Sequence, residues 1–209
     1  MEKKKTKTRE YIESIIIAAL IALLVRSFVI QAYKIPSGSM EPTLLVGDHL
    51  LVNRMSYVVK VPFIDNILFT TGKPKRGDII VFRYPEDPTK DYIKRVIATE
   101  GETVEIRDKT ILIDGEKIKD SWGHFRPDPA SRGFLPFIDK DNIPPVKVPK
   151  DSYFVMGDNR DNSLDSRYWG YVNKKHLVGK ALIIYFSWDS GAMNTLQYVR
   201  WSRIGWLIK

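Results

Sequence analysis

The chain has 209 residues, enough for one medium domain with a buried core and a small insertion beside it. Its formal charge is +8, but five of the basic residues (Lys3, Lys4, Lys5, Lys7 and Arg9) stand in the first ten positions beside an apolar run, an arrangement that points to a membrane rather than nucleic acid. There is no cysteine, which excludes disulfides, a thiolate nucleophile and Cys-based metal sites.

In chain order, residues 1–10 read as a basic cytoplasmic tail and 11–30 as a single transmembrane anchor. The segment YIESIIIAALIALLVRSFVI, Tyr11 to Ile30, carries only Glu13 and Arg26 as charges, both near its ends, where long side chains reach the interface. Basic residues ahead of such a segment stay in the cytoplasm, so residues 31–209 are expected on the outer side of a plasma membrane. A cleaved signal peptide begins in the same way, but no Ala-x-Ala site follows the apolar run closely, so a retained anchor is expected.

After Ile30 the periodicity changes. DHLLVNRMSYVV, RGDIIVFRYP, DYIKRVIAT, ETVEIRD, TILIDGEKI, SYFVMGD and VGKALIIYFSW are short, rich in Val, Ile, Tyr and Phe, and separated by Gly, Pro or Asp. They predict a mainly β domain, an antiparallel sandwich or partly closed barrel. From 120 to 150 six prolines (Pro127, Pro129, Pro136, Pro144, Pro145 and Pro149) argue against regular pairing and predict a loop-rich insertion, in which Trp122, Phe125, Phe134 and Phe137 are candidates for packing. VVKVPFIDNILF, residues 58–69, and the closing WSRIGWLIK are apolar flaps that either pack in the core or dip into a lipid interface.

Histidine and metal chemistry find no pattern in the sequence to support them. His49, His124 and His176 sit in no site-like run, and a Ser-His-Asp triad has no positive support. In GDNRDNSLDSRYWG the sixth and twelfth positions from Asp158 are Ser163 and Trp169, which rules out a calcium loop of the EF-hand kind. In DYIKRVIA, Lys94 shares a strand face with Tyr92 and Val96. A lysine with a pKa near 10.4 is a poor base at neutral pH, whereas a desolvated one beside a serine is a recognised way to activate a hydroxyl. Alone, a lysine at position 94 reads more often as an edge-strand charge with a solvated head than as a base.

IPSGSMEPTL, then RGDIIVF with DYIKRV, then GDNRDNSLDSRYWG, all behind an N-terminal apolar run, together resemble bacterial type I signal peptidase, a family of Ser-Lys dyad proteases. The resemblance runs from the anchor to about Ser187 and includes RWSRIG near the end. It implies Ser39 as nucleophile, Lys94 as general base, and the Ser39 backbone N–H with the Ser37 hydroxyl as oxyanion hole. Ser163 would hydrogen-bond the Lys94 amine, and Asp165 and Arg167 would form a supporting ion pair. Asp158, Asn159 and Arg160 would fix the loop, while Asp161 and Asn162 read as local turn residues. Tyr33, Ile35, Pro36, Met40, Leu44, Tyr92 and Ile93 would bind an extended substrate, the Ala-x-Ala end of a preprotein's signal peptide, with no metal or cofactor. The chain departs from the family where IATEGETV replaces a Gly-Leu-Pro-Gly-Asp-like turn, and it shows one anchor where some relatives have two. Two other classes compete: a self-cleaving Ser-Lys protease, which calls for a DNA-binding module ahead of the domain, and a tethered β-domain that binds without catalysis.

Overall fold

The computed structural model describes residues 7–60, 66–126, 139–192 and 198–208, apart from the side chains at positions 24 and 27. The chain opens with helix α1 (Lys7–Phe28), whose described apolar residues Ile12, Ile15, Ile16, Ile17, Leu20 and Leu23 are all exposed. Among the described residues no helix is long and apolar enough to cross a membrane.

Among the described residues after α1, the three sheets are built of antiparallel strands. The main sheet has eight: β1 (Ile30–Lys34), β2 (Asp48–Asn53), β5 (Ile79–Arg83), β6 (Asp91–Ala98), β11 (Ser152–Met156), β12 (Val172–Asn173), β13 (Leu177–Ser187) and β14 (Trp206–Leu207). Their order is β1-β2-β13-β5-β6-β11-β12, with β14 also on β13, so the sheet is an open path and no closed barrel forms. Along β2 alternate residues are buried, as expected of a strand with one face on the core, whereas Ile79 to Phe82 of central β5 are all buried.

A second sheet, in the order β10-β7-β8-β9, contains β7 (Thr103–Arg107), β8 (Thr110–Ile113), β9 (Glu116–Lys117) and β10 (Ile143–Lys147). The single strand expected over TILIDGEKI is instead a tight hairpin, because Asp114 and Gly115 take positive φ, 52° and 82°, and reverse the chain. The prolines were expected to prevent pairing, yet Ile143, Val146 and Lys147 pair with β7. Pro144 and Pro145 fall within the register shift between Ile143 and Val146, where a missing N–H costs little. Phe134 and Phe137 lie outside the described residues.

The third sheet is the hairpin of β3 (Val58–Lys60) and β4 (Ile67–Thr70), so DHLLVNRMSYVV is two strands, broken at Arg54–Tyr57. Of the first flap, Val58 and Val59 are buried while Leu68 and Phe69 are exposed, and Pro62 lies outside the described residues. The closing segment is divided likewise: Ile208 is buried, and Trp201, Trp206 and Leu207 are exposed.

One core cluster positions the segment after β1. Ile35, Met40, Leu44, Leu50, Val81 and Ile184 pack together on the main sheet. At the opposite end of the path, β6 pairs with β5 from Asp91 to Arg95, but β11 joins it only from Arg95 onward. Among the described residues, the outer edges of β1 and of Asp91–Lys94 are therefore unpaired. Tyr33 of β1 and Asp91 of β6 are linked by a hydrogen bond of 2.9 Å from the phenol to the carboxylate.

Candidate active site

Ser39 sits in a single 3-10 turn, Gly38–Met40, entered from Ser37 in an extended conformation (φ −134°, ψ 154°). The turn is held from below and from the side. Met40 and Leu44 are fully buried, and the Leu44 N–H donates to the Met40 carbonyl at 2.9 Å. From the side, the Asn159 N–H donates to the Ser39 carbonyl and its side-chain amide to the Gly38 carbonyl, each at 3.1 Å. The Ser37 side chain makes no capping bond and is exposed, so its hydroxyl is not committed to the turn.

Lys94 reaches the same point from β6. Its Nζ is 2.8 Å from Ser39 Oγ and 3.0 Å from the Ile93 carbonyl oxygen, and the residue is only 4% exposed. The Tyr92 ring, centred 5.5 Å from Nζ, adds to its apolar surroundings. Burial lowers the Lys94 pKa from 10.5 to about 8, against the pull of Asp165 and Asp158 and with a small further push from Arg167.

The loop Gly157–Trp169 is fixed by charge pairs that have almost no solvent access. Arg95 donates to both Asp158 oxygens at 2.8 and 2.7 Å, and the Thr43 hydroxyl donates to the same carboxylate at 2.5 Å. Arg167 donates to both Asp165 oxygens at 2.9 Å and to the Arg160 carbonyl at 2.6 Å, while the Gly157 N–H donates to Asp165 at 2.9 Å. Burial alone pushes the Asp165 carboxyl up, but Arg167 and the Gly157 N–H hold it below the usual carboxylate range. Arg160 in turn is clamped by Asp120. Gly157 is required on steric grounds, because a Cβ there would run into both the Ser163 side chain and the Ser39 carbonyl.

The expected bond from Ser163 to Lys94 is not formed. Ser163 Oγ is fully buried and has no hydrogen-bond partner, although it lies near enough to Asp165 to favour that carboxylate's charge. The Lys94 amine is directed at Ser39 and the Ile93 carbonyl, and Ser163 packs into the space that Gly157 leaves open. Asp161 is likewise more than a local turn residue: it is buried and pairs with Lys140 at 3.3 Å and Lys109 at 3.7 Å.

The residues expected to bind substrate divide into two groups. Ile35, Met40 and Leu44 belong to the core, while Tyr33 and Ile93 are half-buried against it and Pro36 is exposed. Tyr92 is stacked on Tyr84, with ring centroids 4.5 Å apart and planes within 5°. Sequence reasoning missed Arg95, Thr43, Asp120 and Tyr84 as supports of this site. Only Arg95 carried any signal, as a second cation in a strand with otherwise apolar neighbours. Among the described residues no three carboxylate or histidine side chains converge as a metal site.

A hydroxyl 2.8 Å from a buried amine of lowered pKa is an arrangement able to activate a nucleophile. Comparison with known proteins places the chain in a family. The family profile described as signal peptidase, peptidase S26, matches residues 8–188. The signal peptidase I of Pseudomonas fluorescens is 39% identical over 227 aligned residues, 96% of this chain and 79% of that one. That of Pseudomonas aeruginosa is 36% identical over 94% of this chain and 78% of its own. A crystal structure of a signal peptidase I from Enterococcus faecalis V583 shares 32% identity, covers 52% of this chain and 97% of that one, and superposes with a TM-score of 0.40. The chain belongs to the signal peptidase family, peptidase S26, and is a serine peptidase.

Proposed function

We propose that this protein is a membrane-anchored endopeptidase that removes signal peptides from exported preproteins by a Ser39–Lys94 dyad. The observation that carries the mechanism is the 2.8 Å contact between Ser39 Oγ and the buried Lys94 Nζ. Neutral Lys94 takes the Ser39 proton as Oγ attacks the scissile carbonyl, and the Ser39 N–H and the Ser37 hydroxyl stabilise the oxyanion that develops. As the tetrahedral species collapses, the Lys94 ammonium gives its proton to the leaving amine of the mature protein. The signal peptide remains as an ester on Ser39, and a water deprotonated by Lys94 releases it. The mechanism uses no metal or organic cofactor. Asp165, Arg167 and Ser163 act as supports: the Asp165–Arg167 pair holds the loop behind the amine, and Ser163 fills the space next to Gly157.

The substrate enters as an extended strand along the unpaired edges of β1 and Asp91–Lys94, where backbone hydrogen bonds supply affinity. Tyr33, Pro36, Tyr92 and Ile93 meet its side chains, and the core residues Ile35, Met40 and Leu44 close the floor. Shallow pockets of this kind admit alanine and reject bulk, which accounts for Ala-x-Ala ends. Anchoring is supported by the run Tyr11 to Ile30 and by apolar side chains exposed on all sides of α1, the pattern of a helix surrounded by lipid. The basic tail then lies in the cytoplasm, and residues 31–209, with the loop-rich stretch 120–150, lie on the outer face of the plasma membrane.

The test is cleavage of a preprotein with an Ala-x-Ala site by the detergent-solubilised chain, compared with Ser39→Ala and Lys94→Met from pH 5 to 10. The expected outcome is cleavage at that site that rises as pH passes about 8 and is abolished in both variants. Unchanged cleavage in Lys94→Met would remove the dyad.

A further inference from the structure

Three strands, β2, β13 and β5, stand between β1 and β6 in the main sheet, so no ladder sets the gap between their outer edges. Two side-chain hydrogen bonds cross that gap. At one end Lys94 of β6 meets Ser39, just beyond β1, at 2.8 Å, and this contact is the proposed dyad. At the other the Tyr33 phenol donates to the Asp91 carboxylate at 2.9 Å. Asp91 precedes Lys94 by three positions in β6, about 10 Å along the strand. By alternation Tyr33 falls on the side of Ile35 and Asp91 on the side of Ile93, and Tyr33 and Ile93 both pack on the core cluster that holds Ile35. The bond therefore runs along the floor of the gap rather than across its mouth. Burial and the Asp91 carboxylate push the Tyr33 phenol above its ordinary value, so it stays protonated and remains the donor across the range in which Lys94 titrates.

We propose that the Tyr33–Asp91 bond is a positioning clasp for the substrate, which holds the two edges one strand apart so that an extended peptide pairs with both at once. The inference rests on the reading of these edges as the substrate site. Two strands that flank a third stand about 9.5 Å apart, beyond a direct backbone hydrogen bond and within the joined reach of a tyrosine and an aspartate. A peptide that finds the edges already at this spacing binds without having to order them, which raises affinity with no new contact. The distance of about 10 Å from Asp91 to Lys94 along β6 is also the length of about three extended residues, so the clasp stands where an Ala-x-Ala segment ends.

The experiment is steady-state cleavage of an Ala-x-Ala preprotein by the detergent-solubilised full chain and by Tyr33→Phe, Asp91→Ala, Asp91→Asn and the double variant Tyr33→Phe/Asp91→Ala. The expected result is a rise in KM of about fivefold for Tyr33→Phe and for Asp91→Ala, and again about fivefold rather than about 25-fold for the double variant, because either substitution alone already opens the clasp. Asp91→Asn, which keeps an acceptor oxygen for the phenol, should lose less than Asp91→Ala. Tyr33→Phe keeps its ring on the core, and Asp91 is exposed, so its two variants decide the matter even where Tyr33→Phe lowers Tm. Losses that multiply in the double variant would show that the two side chains meet the substrate separately and would overturn the inference. So would an unchanged KM, a loss confined to kcat, or an Asp91→Asn variant as impaired as Asp91→Ala. Cleavage by the wild type without coupling sinks the clasp alone, whereas no cleavage by the wild type sinks the reading of the site and the clasp with it.

Discussion

At the scale of single residues, the buried amine of Lys94 costs the fold stability. Its pKa falls from 10.5 to about 8 because burial penalises the charged form. Below pH 8 the proton is held in both folded and unfolded chains, and the folded state bears the full desolvation cost. Between 8 and 10.5 the unfolded chain binds the proton and the folded one does not, so stability rises with pH across that window. Lys94→Met keeps the length of the side chain and removes the charge, and should therefore stabilise the fold by roughly 1–3 kcal/mol at pH 7 while abolishing cleavage. Thermal unfolding of both proteins from pH 6 to 10 checks this. The advantage of the methionine variant should be constant up to pH 8 and shrink above it, and a constant difference throughout would mean that Lys94 is not desolvated.

At the scale of elements, the site is a junction between the Ser39 turn, β6 and the loop Gly157–Trp169, with Gly157 set against both the Ser39 carbonyl and the Ser163 side chain. Gly157→Ala forces its new methyl against Ser163 and the Ser39 carbonyl. Overpacking of this kind commonly costs about 1–3 kcal/mol, and a displacement of about 1 Å in the nucleophile can lower the rate about 10²-fold. The variant should therefore lose kcat far more than it raises KM, with a modest fall in Tm. Loss of Tm with kcat intact would show that Ser39 tolerates the shift. The ion pairs around this junction were partly legible in the sequence. Asp165 and Arg167 are two residues apart and meet within one short helix, Ser166–Trp169, capped by Asp165 itself. The pair Arg95–Asp158 joins residues 63 positions apart, and no spacing rule connects them.

At the scale of the whole molecule, exposed apolar side chains collect at α1 and along the closing segment. Trp201 is 72% exposed and Trp206 44%, beside exposed Ile204 and Leu207, whereas Trp122 lies over the Arg95 guanidinium 4.8 Å from its ring. With the full chain in vesicles of brominated phospholipid, tryptophan fluorescence should be quenched, and the quenching should fall in the double variant Trp201→Phe/Trp206→Phe but not in Trp122→Phe. Equal quenching in both would place the closing segment away from lipid.

The sequence by itself determined what depends on neighbouring residues: the helical apolar run, the β character of the rest, and the chemical types in SGSM, YIKR and GDNRDNSLDSR. Alternation along a strand, helix length and turn chemistry are local, so they can be read without a fold. It did not yield the strand order, the pairing of Ile143–Lys147 despite its prolines, or the separation of the β3–β4 hairpin from the main sheet. The tertiary structure alone decided that Lys94 is desolvated, that it is aimed at Ser39 rather than Ser163, and that Ile35, Met40 and Leu44 are core. Desolvation and long-range ion pairing depend on which distant segments exclude water from a group, and that is a property of the packed chain.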